Sequence, residues 1–374
     1  MKFLLVASFP NSIVSFRGAM IRSIQALGHE VHVLSPSPPE NSDSLRVLEQ
    51  FGCIIHSFDL DRKGMSVLSD LRSLLRIVFL LCTIKPDILF SYTIKPVVYT
   101  GLISMVCPVP STYPLITGLG YAFQNENNRR TLLQFFAQTL YRFALLGVTK
   151  VFFQNPDDER LFRDKRLLRN RTPSVVVNGS GVDVAVFQPC PLPSKFSFLL
   201  IARLIKAKGI IEFAEAAESI LQSYEGVGVS FKIAGWTETG VDSIPKEVVD
   251  GWTQNRFVEF LGSLKDVRTA IAESSVYVLP SYREGTPRTV LEAMAMGRAI
   301  ITTDVPGCRE TVVDGHNGYL VPPRDSKALS EAMGRFLDDP SLALEMGRRS
   351  REMAVEKYDV EKVNEVILRE MNLL

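Results

Sequence analysis

The stretch Ser281-Tyr-Arg-Glu-Gly-Thr-Pro-Arg-Thr-Val-Leu-Glu-Ala-Met-Ala-Met-Gly297 holds the densest set of residues able to do chemistry. An apolar run at 276–280 reads as a strand that ends in a loop, after which the spacing turns helical. Thr286 can cap that helix, Pro287 suits its first turn, and Gly297 can end it. The backbone amides of residues 287–290 would then face a ligand. A helix start of this kind receives an anion such as a diphosphate. Glu284 lies in the loop, and Glu292 about one and a half turns into the helix. Two carboxylates beside an anion site cannot both bind phosphate. They can accept hydrogen bonds from hydroxyls, as on a sugar and a ribose. Alone, the loop reads first as a capped helix with one solvated glutamate and one surface glutamate; a second motif shifts that reading.

That motif is Ala202-Arg203-Leu-Ile-Lys-Ala-Lys208-Gly209, just after another apolar run. Arg203 can grip phosphate oxygens in a fork, and Lys208 adds a point charge. Two cations and a helix start can neutralise a departing diphosphate without a metal. A solvated basic turn is the plain alternative. The P-loop pattern GxxxxGK[ST] is absent, which excludes that class of nucleotidase.

Near the start, Asn11-Ser-Ile-Val-Ser-Phe-Arg17-Gly18 is read as the loop joining a first strand to a first helix. No GxGxxG occurs there, which weakens a dehydrogenase. Gly18 would admit a ligand closely and Arg17 would offer charge, or the segment is an ordinary turn. Thr117-Gly118-Leu-Gly120-Tyr121-Ala-Phe123 is a second glycine-rich loop. Gly118 and Gly120 let amides approach an anion, and Tyr121 and Phe123 form an apolar wall. Asp59-Leu-Asp61 has DxD spacing but lies far from the phosphate motifs, and is rejected as a metal motif.

The elements that must position these residues alternate along the whole chain. Strands are expected at 3–8, 31–34, 53–56, 87–90, 111–116 and 150–155, with a first helix over Arg17–Leu27. The pattern restarts with strands at 196–202, 231–235, 257–262, 276–281 and 299–303. Apolar runs that alternate with helices imply parallel sheets buried on both faces. The fold class is therefore α/β, with two Rossmann-like domains facing a central cleft. Pro189, Pro191 and Pro193 mark a linker, giving domains at 1–190 and 191–357 and a terminal helix at 358–374 that packs back on the first.

Composition narrows the classes. The 374 residues suffice for two domains, and the net charge of +1 gives no nucleic-acid signature. The five cysteines lack metal spacing and read as reduced thiols, and the four histidines form no zinc motif. MKFLLVASFP reads as a strand rather than a signal peptide, and the uncharged stretch from Pro96 to Asn125 is broken by proline and glycine. No spanning helix is expected. Two segments, Met65–Ile84 and Asn127–Pro156, combine dense leucine and phenylalanine with arginine. They suit either a buried helix with a basic edge or a peripheral contact with an anionic bilayer.

ARLIKAKG (202–209), PSYREGTPRTVLEAMAMGRAIITTDVPGCRE (280–310), DGHNGYLVPPRD (314–325) and VVNGSGVD (176–183) together resemble the GT-B glycosyltransferases of retaining family 4. The likeness spans nearly the whole chain, and the pair Glu284 and Glu292 is its most specific part. It implies that Arg203 and Lys208 hold and stabilise the donor diphosphate, with Glu284 on the donor sugar and Glu292 on the ribose. It also implies that the backbone from Gly285 through Thr286, Pro287 and Arg288 to Thr289 meets phosphate and sugar. FPNSIVSFRG, DILFSYTIKPVVYTG and ITGLGYAF are similar to bacterial enzymes of the PglA type, which extend polyprenyl-diphosphate-linked sugars. Many members carry a histidine at a first-domain strand end. Here that region reads Ser91-Tyr-Thr93-Ile-Lys95, so Thr93 or Lys95 is the candidate for that place.

The resemblance thus implies a retaining, metal-independent transferase with no cofactor. A UDP-N-acetylhexosamine, GalNAc first, would donate to an undecaprenyl-diphosphate-linked sugar with an α-linkage, α-1,3 being one option. The donor set is Gly18, Arg203, Lys208, Glu284, Gly285, Thr286, Pro287, Arg288, Thr289 and Glu292; the acceptor set is Arg17, Lys95, Gly118, Gly120 and Tyr121. The expected place is the cytoplasmic face of the inner membrane, without nucleic acid. The rival readings are a UDP-sugar 2-epimerase on the same fold and a two-lobed sugar-binding protein.

Overall fold

The computed structural model describes residues 1–37, 42–58, 67–119, 132–237, 240 and 242–374. The chain forms two compact units, Met1–Ser180 with Glu361–Leu374, and Gly181–Val360.

In the first unit the strands are β1 (Lys2–Val6), β2 (Glu30–Ser35), β3 (Ile54–Ser57), β4 (Ile88–Tyr92), β5 (Ser111–Ile116), β6 (Val151–Phe153) and β7 (Ser174–Val176). Among the described residues they make one sheet in the order β3-β2-β1-β4-β5-β6-β7, and every pairing is parallel. The helices are α1 (Pro10–Ala26), α2 (Asp43–Gln50), α3 (Val67–Ile84), α4 (Ile94–Ser104), α5 (Leu132–Ala144) and α6 (Pro156–Asp164). Alternate residues of one strand enter different cores. Leu4 and Val6 join Ile77 of α3 and Tyr141 of α5, whereas Phe3 and Leu5 join Ile13 and Ile21 of α1. A strand covered on both faces must be apolar at every position, which is why β1 reads as an unbroken run.

The second unit repeats the plan with β8 (Ser197–Ile201), β9 (Ser230–Ala234), β10 (Glu259–Phe260), β11 (Val276–Leu279), β12 (Ala299–Thr303) and β13 (Gly318–Val321). Its parallel order is β10-β9-β8-β11-β12-β13. Its helices are α7 (Ile210–Ser223), α8 (Lys246–Gln254), α9 (Arg268–Ala272), α10 (Arg288–Ala295), α11 (Ser326–Asp338) and α12 (Ser341–Lys357). Strand order reverses between β1 and β4, and again between β8 and β11. The crevice outside the carboxyl ends of such a pair is where doubly wound sheets bind ligands.

The expected boundary at residue 190 moves to 180. The segment after Ser180 is built into the second unit. Arg298 is fully buried and donates to the carbonyls of Cys190, Pro191, Ile271 and Ala272 at 2.9–3.2 Å. Arg351 likewise holds the carbonyls of Val184 and Phe187 at 3.1 and 2.9 Å. The prolines therefore sit in a strapped-down segment rather than at the border. The last helix, α13 (Val360–Glu370), gives Val363, Ile367 and Leu368 to the core of the first unit.

Local differences have local causes. The first helix begins at Pro10 rather than Arg17, because a proline in the first turn presets its φ. Arg17 and Gly18 therefore lie inside α1 and not in a loop. Strands β7 and β13 were not expected; β7 has no buried residue and β13 opens on a glycine, so neither reads as an apolar run.

Candidate active site

The site of the second unit forms where the chain leaves β8, β11 and β12. The loop after β8 turns through a short 3-10 helix, Lys206–Lys208, into Gly209 with φ +69°. A Cβ on Gly209 would stand 2.1 Å from the Pro280 carbonyl oxygen, so the two loops pass too closely for any side chain there. Tyr282 N–H donates to Ala207 O at 2.9 Å and fixes the same crossing. On the other side Glu284 N–H donates to Pro306 O at 3.1 Å. Gly307, with φ +82°, lies so near that a Cβ would be 2.3 Å from the Glu284 carbonyl oxygen. Thr302 Oγ1 donates to Leu279 O at 2.7 Å, and Thr303 Oγ1 to Ser281 O. The Glu284 loop is thus fastened to both neighbours by backbone contacts.

This scaffold brings Lys208 Nζ onto Glu284 Oε1 as an ion pair with both side chains mostly buried. The pair spans 76 residues of sequence. Behind it Cys308 is fully buried, and burial, with the Glu284 charge, pushes its thiol up to about 12. Arg203 is exposed in the loop just after β8.

A second pair stands on α10. Arg288 Nε donates to Glu292 Oε1 at 2.8 Å, and the Glu292 side chain is one-tenth exposed. Burial raises the Glu292 carboxyl above its ordinary range, Arg288 opposes that rise, and Asp266 adds to it. Beneath both pairs lies Tyr277, which hydrogen-bonds Thr289 and donates to Ile201 O at 3.1 Å. Its hydroxyl is pushed well up, first by burial and in smaller part by Glu292 and Glu284.

The helix start differs from expectation. Thr286 is not its cap: Pro287 is the N-cap, with no side-chain hydrogen bond, and α10 begins at Arg288. Pro287 has no N–H, and Val290 N–H donates within the helix to Pro287 O at 3.1 Å. Both ends of the expected 287–290 amide set are therefore unavailable to an anion. Gly285 lies in the fastened loop, with its carbonyl oxygen 2.4 Å from where a Gly307 Cβ would stand.

In the first unit the ends of β1 and β4 meet. Ser8 Oγ and Thr93 Oγ1 are 2.8 Å apart, and Thr93 holds the left-handed φ of +69°. Lys95 is committed to Asp70 of α3 at 2.9 Å. Gly118, with φ +132°, follows β5, while Gly120, Tyr121 and Phe123 lie outside the described residues, as do Asp59 and Asp61. Two of the expected contact residues lie inside α1 and not in a loop. Arg17 is 1% exposed, with its guanidinium 5.9 Å from the Phe90 ring and 5.6 Å from the Tyr92 ring. Gly18 faces the Phe51 ring, the nearest atom being 3.4 Å from a Cβ placed there. Both are buried within α1.

Sequence reasoning missed Cys308, Gly307, Thr302, Thr303 and Tyr277 around Glu284. It also missed Tyr282, whose hydroxyl donates to Glu212 Oε1 at 2.5 Å under the Arg324 guanidinium. Only proximity in the fold identifies them. One histidine pair appears: His32 Nδ1 and His56 Nε2 are 2.9 Å apart, with His32 Nε2 2.6 Å from Glu30. These rings stack on each other on β2 and β3, the edge pair of the first sheet.

With that geometry in view, the comparisons with known proteins agree. Residues 195–339 match the family Glycosyl transferases group 1, and residues 3–155 match Glycosyl transferase 4-like. The chain is 25% identical to the N,N'-diacetylbacillosaminyl-diphospho-undecaprenol alpha-1,3-N-acetylgalactosaminyltransferase of Campylobacter jejuni, over 93% of this chain and 92% of that one. It is 26% identical to the UDP-Gal:alpha-D-GlcNAc-diphosphoundecaprenol alpha-1,3-galactosyltransferase of Escherichia coli, over 80% and 79%. The structure of Anabaena HepE in complex with UDP matches with a TM-score of 0.77 at 19% identity, covering all of both chains. The two matched families, the two parallel sheets and their fastened strand-end loops make this chain a GT-B glycosyltransferase of the group 1 and 4-like families.

Proposed function

We propose that the chain moves an N-acetylhexosamine, GalNAc first among them, from its UDP-sugar to an undecaprenyl-diphosphate-linked sugar. The new bond is an α-linkage, α-1,3 by the relatives' names. The observation that carries the proposal is the Lys208–Glu284 pair, with Arg203 on the same loop and Glu292 on the following helix. Lys208 and Arg203 take the diphosphate, Glu284 accepts from a sugar hydroxyl, and Glu292 accepts from the ribose. An arriving diphosphate competes with Glu284 for Lys208, so donor binding and sugar placement are one event.

In the reaction the acceptor oxygen bonds to the sugar's anomeric carbon on the face that the diphosphate leaves. The carbon–phosphate oxygen bond breaks, and the departing oxygen takes the acceptor's proton. Configuration is retained. The charge of the leaving group is met by Lys208 and Arg203, so no metal is required. In the first unit Ser8, Thr93 and Gly118 line the strand ends that would meet the acceptor.

The enzyme would work as a peripheral protein on the cytoplasmic membrane face. Among the described residues no helix is long and apolar enough to cross a membrane. Yet α3 exposes Leu71, Leu75 and Phe79 beside Arg72 and Arg76, and α5 exposes Phe135, Phe136, Leu140 and Phe143. Apolar side chains bordered by arginines suit an anionic bilayer.

The test is transfer from a panel of UDP-sugars to a synthetic polyprenyl-diphosphate amino sugar, with and without EDTA. Product from a UDP-N-acetylhexosamine in EDTA is expected. Product only from another nucleotide's sugar overturns the donor, and loss in EDTA overturns metal independence.

A further inference from the structure

Cys82 and Cys107 are far apart in sequence and carry no recognised spacing, yet their sulfurs stand 3.2 Å apart. That is inside the contact distance of two thiols, and a disulfide of about 2.05 Å needs only a shift of about 1 Å. Cys82 is exposed on the last turn of α3, and Cys107 is half-buried just after α4, its N–H donating to Ile103 O at 2.8 Å. The other three cysteines, Cys53, Cys190 and Cys308, are half-buried or buried, and Cys190 Sγ accepts from Arg298. Of the five, Cys82 alone is exposed.

We propose that Cys82 and Cys107 are a reversible dithiol–disulfide site, oxidised by a low-molecular-weight disulfide of the glutathione class. The exposed Cys82 thiolate attacks one sulfur of the reagent. The reagent's S–S bond breaks, one thiolate leaves, and a mixed disulfide remains on Cys82. Cys107 then attacks Cys82 Sγ and expels the second reagent thiolate. The two protein thiols lose two protons and two electrons, and the reagent leaves as two thiols. This order follows from exposure. It agrees with the hydrogen bond from the Cys82 side that holds the Cys107 thiol above its usual range.

The bond has a structural address. Residues 83–106 lie between the two sulfurs, and they carry β4, Thr93 and Lys95. The start of α3 is already tied to α4 through Asp70 and Lys95. A disulfide ties the other end of α3 to the far end of α4, so the acceptor-side segment becomes a closed loop held at both ends. The site itself does not depend on the proposed reaction.

The experiment treats the full chain in solution with oxidised glutathione, alkylates the remaining thiols, and maps the peptides by mass spectrometry. Wild type is expected to lose two free thiols together, to lose two hydrogens in mass, and to yield a Cys82–Cys107 peptide that dithiothreitol reverses. Cys107→Ser is expected to stop at a glutathione adduct on Cys82. Cys82→Ser is expected to stay unmodified at Cys107. An unchanged thermal melt shows that each variant is folded. A wild-type protein that stops at the Cys82 adduct, links other cysteines, or keeps both thiols overturns the proposal.

Discussion

Arg288 is the cation that opposes the burial of Glu292, and nucleotide binding should report on it. A ribose hydroxyl donates to a carboxylate, so affinity for UDP falls as pH drops through the Glu292 pKa. That pKa is raised, so the fall begins above the ordinary carboxylate range. In Arg288→Ala the opposing charge is gone, the pKa rises further, and the fall moves to still higher pH. Arg288→Lys keeps the charge and most of the profile. Calorimetric titration with UDP across pH measures this, and identical profiles for wild type and Arg288→Ala would refute the role. At the leaving group, Lys208→Ala and Arg203→Ala should each lower turnover by about 10²-fold, as removal of one charge-stabilising group does elsewhere. UDP release under saturating donor is the readout; near-normal turnover in Lys208→Ala would remove it from the chemistry.

At the scale of elements, the Glu284 loop depends on the neighbours that fasten it. Gly307→Ala puts a methyl 2.3 Å from the Glu284 carbonyl oxygen, against backbone and not a flexible side chain, and should cost about 10²-fold in turnover through misplacement. Gly18→Ala meets only a ring atom at 3.4 Å within an ordinary helix and should leave turnover near wild type. Equal losses in the two would show that Gly18 has a role beyond its place against Phe51. The helices α3 and α5 make a separate prediction. Each phenylalanine placed in a bilayer contributes roughly 2 kcal/mol, so Phe79→Ser with Phe136→Ser should weaken sedimentation with anionic vesicles by more than about tenfold. Unchanged sedimentation would move the membrane contact elsewhere.

Elements were legible where physics writes a long enough pattern. β1, β8, β11 and β12 are covered on both faces and read as apolar runs. β7 has no buried residue and β13 opens on a glycine, and the polar start of α1 looks like a loop until Pro10 is taken as its first residue. Within the site, the Arg288–Glu292 pair is visible as an i,i+4 spacing. The Lys208–Glu284 pair and the cage of Thr302, Thr303, Gly307 and Cys308 are not, because strand order and not sequence distance joins them. Nor does anything in FRG announce that Arg17 lies against two rings.

At the scale of the molecule, the first unit is assembled from both ends of the sequence. Residues 361–374 supply five buried apolar side chains to it, Val363, Ile367, Leu368, Met371 and Leu373. At about 1.5–3 kcal/mol each, their loss is on the order of a whole domain's stability. Removing residues 361–374 should therefore unfold the first unit and leave the second, residues 181–360, able to fold. Urea unfolding with proteolysis separates the two; a truncated protein whose first unit melts as in wild type would refute it.

The same discontinuity sets an order of birth. A ribosome finishes residues 1–180 first, but the sheet they form still lacks one wall, with the seat of Val363, Ile367 and Leu368 open. Residues 181–360 are contiguous and can close as soon as they emerge. The half made second can thus mature first, and the half made first waits, apolar surface showing, for the last turns of helix to be translated.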